Sequence, residues 1–108
     1  MTTVPTFDAR RRANSYMADL SMSQVTLCAL VDMPASRLNL QLRYKIQFSP
    51  EDEKNVIDTL LRLIELRDAF TPLVLDWDSP DFCKMLLKSG VDAEIVRLGV
   101  ESIFRERS

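Results

Sequence analysis

An all-α fold is the class this 108-residue sequence predicts, and two observations carry the prediction. Ser49-Pro50-Glu51-Asp52 and Ser79-Pro80-Asp81 each have the composition of a helix start. The serine accepts from a backbone N–H, the proline lacks an N–H that the first helical position does not need, and carboxylates fill the first turn. Glycine is confined to Gly90 and Gly99, too few for an architecture of many tight β-turns, and the links are marked by Pro, Ser and Asp instead.

The elements follow in order. Met1 to Thr6 is expected to be disordered. Phe7 to Leu20 reads as a helix with Ala13, Met17 and Leu20 as its stripe. Its Arg10-Arg11-Arg12 run has two readings, a contact to phosphates or a solvated face. Met22 to Val31 and Pro34 to Arg43 are two short helix candidates, followed by a loop, Tyr44 to Phe48, whose Ile46 and Phe48 tuck under the domain. Ser49 caps a helix running from Pro50 to about Phe70, with Asp52 placed to complete a capping box. Val56, Leu60, Leu63, Ile64 and Arg67 mark its faces, Ile57 and Leu61 widen the stripe, and Arg62 can pair with Glu65 or Asp58 on the exposed side. Thr71-Pro72 ends it. Residues 73–78 form an extended linker that Trp77 staples to the core. Ser79 caps a further helix to Lys88, with Gly90 as its left-handed stop. Asp92 caps the last one, where Ile95, Leu98, Ser102 and Ile103 share one face and Val96, Val100 and Phe104 a neighbouring one. So wide an apolar surface completes the core or forms a dimer interface, and the dimer is favoured slightly.

One stretch, Met22 to Glu51, admits two incompatible readings. As helices, Ser23 caps a segment burying Val25, Leu27, Cys28 and Val31, Asp32-Met33 turns, and Pro34 opens a second helix with Leu38 and Leu42 inward. As a strand, Leu38, Leu40, Leu42, Tyr44, Ile46 and Phe48 alternate with Asn39, Gln41, Arg43, Lys45 and Gln47, the period of a half-buried strand. Periodicity alone favours the strand. That choice gives an α+β protein with a β-hairpin at 24–48, a small adaptor or inhibitor whose acidic half binds a protein partner.

A resemblance decides for the helices. Ser23-Gln24, Leu27-Cys28, Asp32-Met33, Ser36, Leu38, Leu42 and Phe48-Ser49-Pro50-Glu51 stand in register with the pattern of phage repressor/Cro-like helix-turn-helix regulators, over residues 16–70. Asp32 and Tyr44 replace glycines frequent in that family. Aspartate tolerates the left-handed region better than most residues. The resemblance implies a helix-turn-helix core of four to five helices at 7–70; the length reads as a single domain 1–108, and residues 71–108 read as a linker and a two-helix extension suited to dimerisation. It implies a sequence-specific, dimeric transcriptional regulator of phage or prophage type that represses by occupying duplex DNA. The second short helix then enters the major groove. Ala35, Ser36 and Leu40 contact base edges, Asn39 shares that face, Gln24 binds backbone phosphate, Arg43 and Lys45 clamp phosphates, and Arg37 belongs to the same DNA-facing set.

Composition bounds the alternatives. An apolar content of 46% with 28% charged residues is that of a globular chain able to bury a core. The net charge of −2 hides an asymmetry: six basic and three acidic residues give +3 in 1–50, whereas eight basic and thirteen acidic give −5 in 51–108. A basic half backed by an acidic one suits a DNA-facing surface, though a difference of this size also arises by chance. There is no histidine, no Gly-rich phosphate loop and no zinc-type cysteine spacing, so neither an enzyme nor a metal or cofactor site is expected. Asp76, Asp78 and Asp81 lack the spacing of a calcium loop. No export signal, membrane span or small-molecule site is visible, and Cys28 and Cys83 read as buried free thiols of a cytoplasmic protein.

Overall fold

A computed structural model describes residues 6–43, 46–71 and 73–107 of the chain. The fold is all-α: α1 Thr6–Leu20, α2 Gln24–Val31, α3 Ala35–Leu42, α4 Pro50–Phe70, α5 Pro80–Ser89 and α6 Ala93–Arg107, with no strand among the described residues. The hairpin at 24–48 is therefore corrected. Leu38 to Leu42 is helical, with Leu38, Gln41 and Leu42 buried and Leu40 on the solvent side. The disorder expected for Met1 to Thr6 lies outside the described residues, apart from Thr6, which opens α1. Tyr44, Lys45, Pro72 and the side chains of Phe7 and Phe104 also lie outside them.

The centre of the fold is α4. Val56, Leu60, Leu63 and Leu66 recur at helical spacing and are fully buried, and α1, α2, α5 and α6 all pack on this helix. Each such side chain contributes about 2 kcal/mol of transfer free energy. The flanking helices supply Ala13, Met17 and Leu20 from α1, Leu27 and Val31 from α2, and Cys83 and Leu86 from α5. Trp77 pins the 71–79 linker, its ring 6.2 Å from Phe70 and 5.3 Å from Phe82. Phe48 is buried as expected, whereas Ile46 is exposed. Val25, expected inside, is 74% exposed because the inward position beside Leu27 goes to Thr26, whose hydroxyl donates to the Asp78 carbonyl.

The helix starts follow the serines. Ser23, Ser49 and Ser79 each accept from the backbone N–H three residues on. The Asp52 carboxylate does not close a capping box but turns to α3. Helix ends need more, since the last carbonyls of a helix have no partner within it. Side chains from α1 and α4 supply donors. Arg67 donates to the Asp19 carbonyl at 2.9 Å and its carboxylate at 3.0 Å. Asn55 donates to the Val31 carbonyl at 3.0 Å, and Arg10 and Asn14 donate to the carbonyls of Gln41 and Leu42 at 3.0 and 3.3 Å. Arg10 is thus a buried clamp, neither a phosphate contact nor a solvated residue. Arg62 likewise donates to the Val91 carbonyl, and the exposed pair on α4 is Lys54 with Asp58 at 2.9 Å.

Two chain reversals place side chains at positive φ. Ser21 after α1 and Asp32 after α2 both sit at φ 55°. Behind Ser21 the N–H groups of Ser21 and Met22 reach back to the carbonyls of Ala18 and Met17, a Schellman stop in which glycine avoids the Cβ clash. Replacing Ser21 by glycine is expected to raise the unfolding free energy by about 0.5–1 kcal/mol, the relieved clash exceeding the added freedom of the unfolded chain. Urea denaturation measures it, and a loss of stability would contradict the left-handed stop.

Candidate nucleic-acid interface

The candidate surface is built on α2, the reversal at Asp32 and α3. Asp32 adopts φ 55°, ψ 52°, and its N–H and that of Met33 both return to the Cys28 carbonyl, which turns the chain sharply enough to lay α3 on α2. Burial of Leu38 and Leu42 against the core fixes the rotation of α3. That rotation leaves Ala35, Ser36, Leu40 and Arg43 exposed, with Leu40 at 41%, and Asn39 half-buried between them and α2.

Two polar networks hold this helix. On the α2 side the Asn39 amide donates to Gln24 Oε1 at 3.0 Å, joining two residues the sequence places in the interface. On the α4 side Asp52 Oδ2 accepts from the Gln41 amide at 2.8 Å and forms an ion pair with Arg37. Burial of Asp52 works to raise its pKa. The bonds from Arg37 and Gln41, the Arg37 charge and the Ser49 hydroxyl outweigh it and hold the carboxyl below its ordinary value. Gln41 is almost wholly buried, with its Oε1 unpaired.

Of the expected interface residues, Ala35, Ser36, Leu40 and Arg43 therefore lie on one outward face and Gln24 and Asn39 meet at its edge. Arg37 is on α3 but turned to Asp52, and Lys45 lies outside the described residues. At the start of α2 the Asp78 carboxylate accepts from the Ser23 N–H at 2.7 Å. The Ser23 backbone bond and the Thr26 and Ser23 side chains hold the Asp78 pKa below its ordinary value. Asp52, Gln41, Arg10 and Asp78 are the positioning residues that sequence reasoning did not find. A glutamine on the inner side of α3 was the one local sign of such a network.

The comparisons add no relative. No family model, curated protein or solved structure matches this chain. Among the described residues there is no cluster of potential metal ligands, and no helix is long and apolar enough to cross a membrane. Cys28 and Cys83 are free thiols, and burial, followed by the charges of Asp76 and Asp78, pushes Cys83 up to about 11.

The network gives a pH signature. With its folded pKa below the unfolded value of about 3.9, Asp52 stabilises the fold fully above that value and stops doing so as the pH falls through the folded pKa. Asp52→Asn is expected to cost about 1 kcal/mol at pH 7, a modest loss because half-exposed Arg37 regains water. The variant and the parent should converge on acidification. Urea titrations across the acid range test this, and a gap that persists to the lowest pH would show that the Asp52 charge is not what matters.

Proposed function

We propose that this chain is a sequence-specific regulator that binds duplex DNA, with α3 as the reading helix, and that it represses transcription as a cytoplasmic homodimer of the phage-repressor type. The observation that supports this reading is the outward row on α3. Ala35, Ser36 and Leu40 on a short helix braced from α2 and α4, and Arg43 at its C-cap, are exposed on one side. A braced helix with small and polar side chains outward matches what major-groove reading demands.

The roles follow from side-chain chemistry. Ser36 offers a donor and an acceptor to a base edge, and Leu40 an apolar surface to a thymine methyl. Asn39, with one N–H committed to Gln24, keeps its carbonyl and a second N–H for a base. Gln24 keeps the donor end of its amide for a phosphate. Arg43 and Lys45 supply the cationic contacts, which position without reading sequence. In a dimer two such helices stand about 34 Å apart, one turn of duplex.

Selection of duplexes from a random pool, followed by fluorescence anisotropy, tests the reading. The chain should retain duplex DNA with an affinity that falls as salt rises. Absence of binding even at about 50 mM salt would end the assignment. Arg43→Ala should weaken binding to selected and random duplexes alike and reduce the salt slope by about 1. Ser36→Ala should narrow the difference between selected and random duplexes. Equal loss on both would remove Ser36 from sequence reading.

A further inference from the structure

The last helix carries an apolar face that none of the described residues covers. Inward, α6 packs on α4 with Val100 buried and Ala93 and Val96 half-buried. Outward, Ile95, Leu98 and Ile103 are 69%, 56% and 55% exposed. Between them stand Gly99 and Ser102, both exposed, and a Cβ on Gly99 would meet no atom within 4 Å. Among the described residues nothing requires a glycine there, although mid-helix glycine weakens a helix.

The charges beside this face carry a pattern. Glu94, Arg97, Glu101 and Arg105 occupy successive turns along one flank, all exposed, with alternating sign. Arg97 is paired with Glu94 along the helix. Such a row is complementary to itself only when reversed. About a two-fold axis at Gly99, Arg97 lies opposite Glu101 of a second copy, and Glu94 lies opposite Arg105. In a parallel pair this flank would meet the other one, which among the described side chains carries Val96 and Val100 and no compensating charge.

We propose that α6 pairs antiparallel with α6 of a second copy of this chain. The helices cross at Gly99, Ile95, Leu98 and Ile103 are buried between them, and the Glu94–Arg105 and Arg97–Glu101 pairs set the direction. The occupant is the chain itself, because its own reversed sequence presents the matching charges together with a glycine at the crossing point. The inference gives a surface to the dimer assumed in the DNA reading but rests on α6 alone, so it is tested without DNA. One helix face offers less than the roughly 800 Å² per partner of a standard interface, so the pairing is of the weak kind and is sought at a concentration of about 10 µM and above.

Sedimentation equilibrium of the full chain across that concentration, without DNA, is the experiment. The parent chain should pass from monomer to dimer. Glu94→Arg and Arg105→Glu each place like charges opposite one another and should weaken self-association by about tenfold or more. An equimolar mixture of these two variants restores both pairs and should dimerise like the parent. That recovery also shows that both variants are folded. Gly99→Gln should weaken the dimer while circular dichroism shows undiminished helix. A parent monomeric throughout, variants that dimerise unaided, or a mixture that stays monomeric would each overturn the antiparallel pairing. None of these results bears on whether α3 reads DNA.

Discussion

Burial of one face of α4 is the constraint from which the other packing follows. Four side chains, Val56, Leu60, Leu63 and Leu66, are removed from water entirely. Together they contribute on the order of 10 kcal/mol, an upper figure because unfolded chains already bury part of that surface. A 21-residue helix can present this much apolar surface only if neighbours cover it. Each of α1, α2, α5 and α6 does so. The exception is α3, which leans on α1 and α2 and meets α4 through the Asp52 carboxylate. The helix proposed to read DNA thus buries Leu38 and Leu42 but is joined to α4 by polar bonds.

That difference explains the clustering of directed bonds around short elements. Helices of eight residues, such as α2 and α3, have more orphan backbone groups than internal hydrogen bonds. The fold answers with Asn55 on the end of α2, Arg10 and Asn14 on the end of α3, and Asp78 at the start of α2. These partners are 24 to 55 residues away in sequence. The short helices therefore exist as parts of the domain and not on their own propensity.

What the sequence made legible was local. Ser49, Ser79 and Ser23 marked three helix starts, Gly90 marked a stop, and the stripe from Val56 onward marked the central helix. The alternation of Leu38 to Phe48 misled because a strand and a two-turn helix share Leu38 and Leu42. They differ over Leu40 and Gln41, where the solvent takes the leucine and the core takes the glutamine. Nothing nearby announces that exchange, which depends on Asp52 and on Arg10 lying 31 residues from the carbonyl it caps. Val25 misled for a similar reason, since the inward place was taken by a threonine whose partner lies 52 residues on. Ala35, Ser36, Leu40 and Arg43 were legible as one face because helical geometry alone groups them. The acidic occupant of the α2 start was not, because it arrives from the linker.

The titrating side chains lead to a property of the molecule as a whole. Bonds to Arg67 hold the Asp19 carboxyl low, bonds from Ser23 and Thr26 hold Asp78 low, and the Arg37 and Gln41 network does the same for Asp52 against its burial. Burial pushes both thiols up. Each of these shifts moves a group away from neutrality, in a chain with no histidine to titrate between about pH 5 and 8. Between about pH 5 and 8 the charge on these groups is constant. Salt concentration can tune its electrostatic contacts, whereas the ordinary drift of cellular pH leaves these side chains in one charge state.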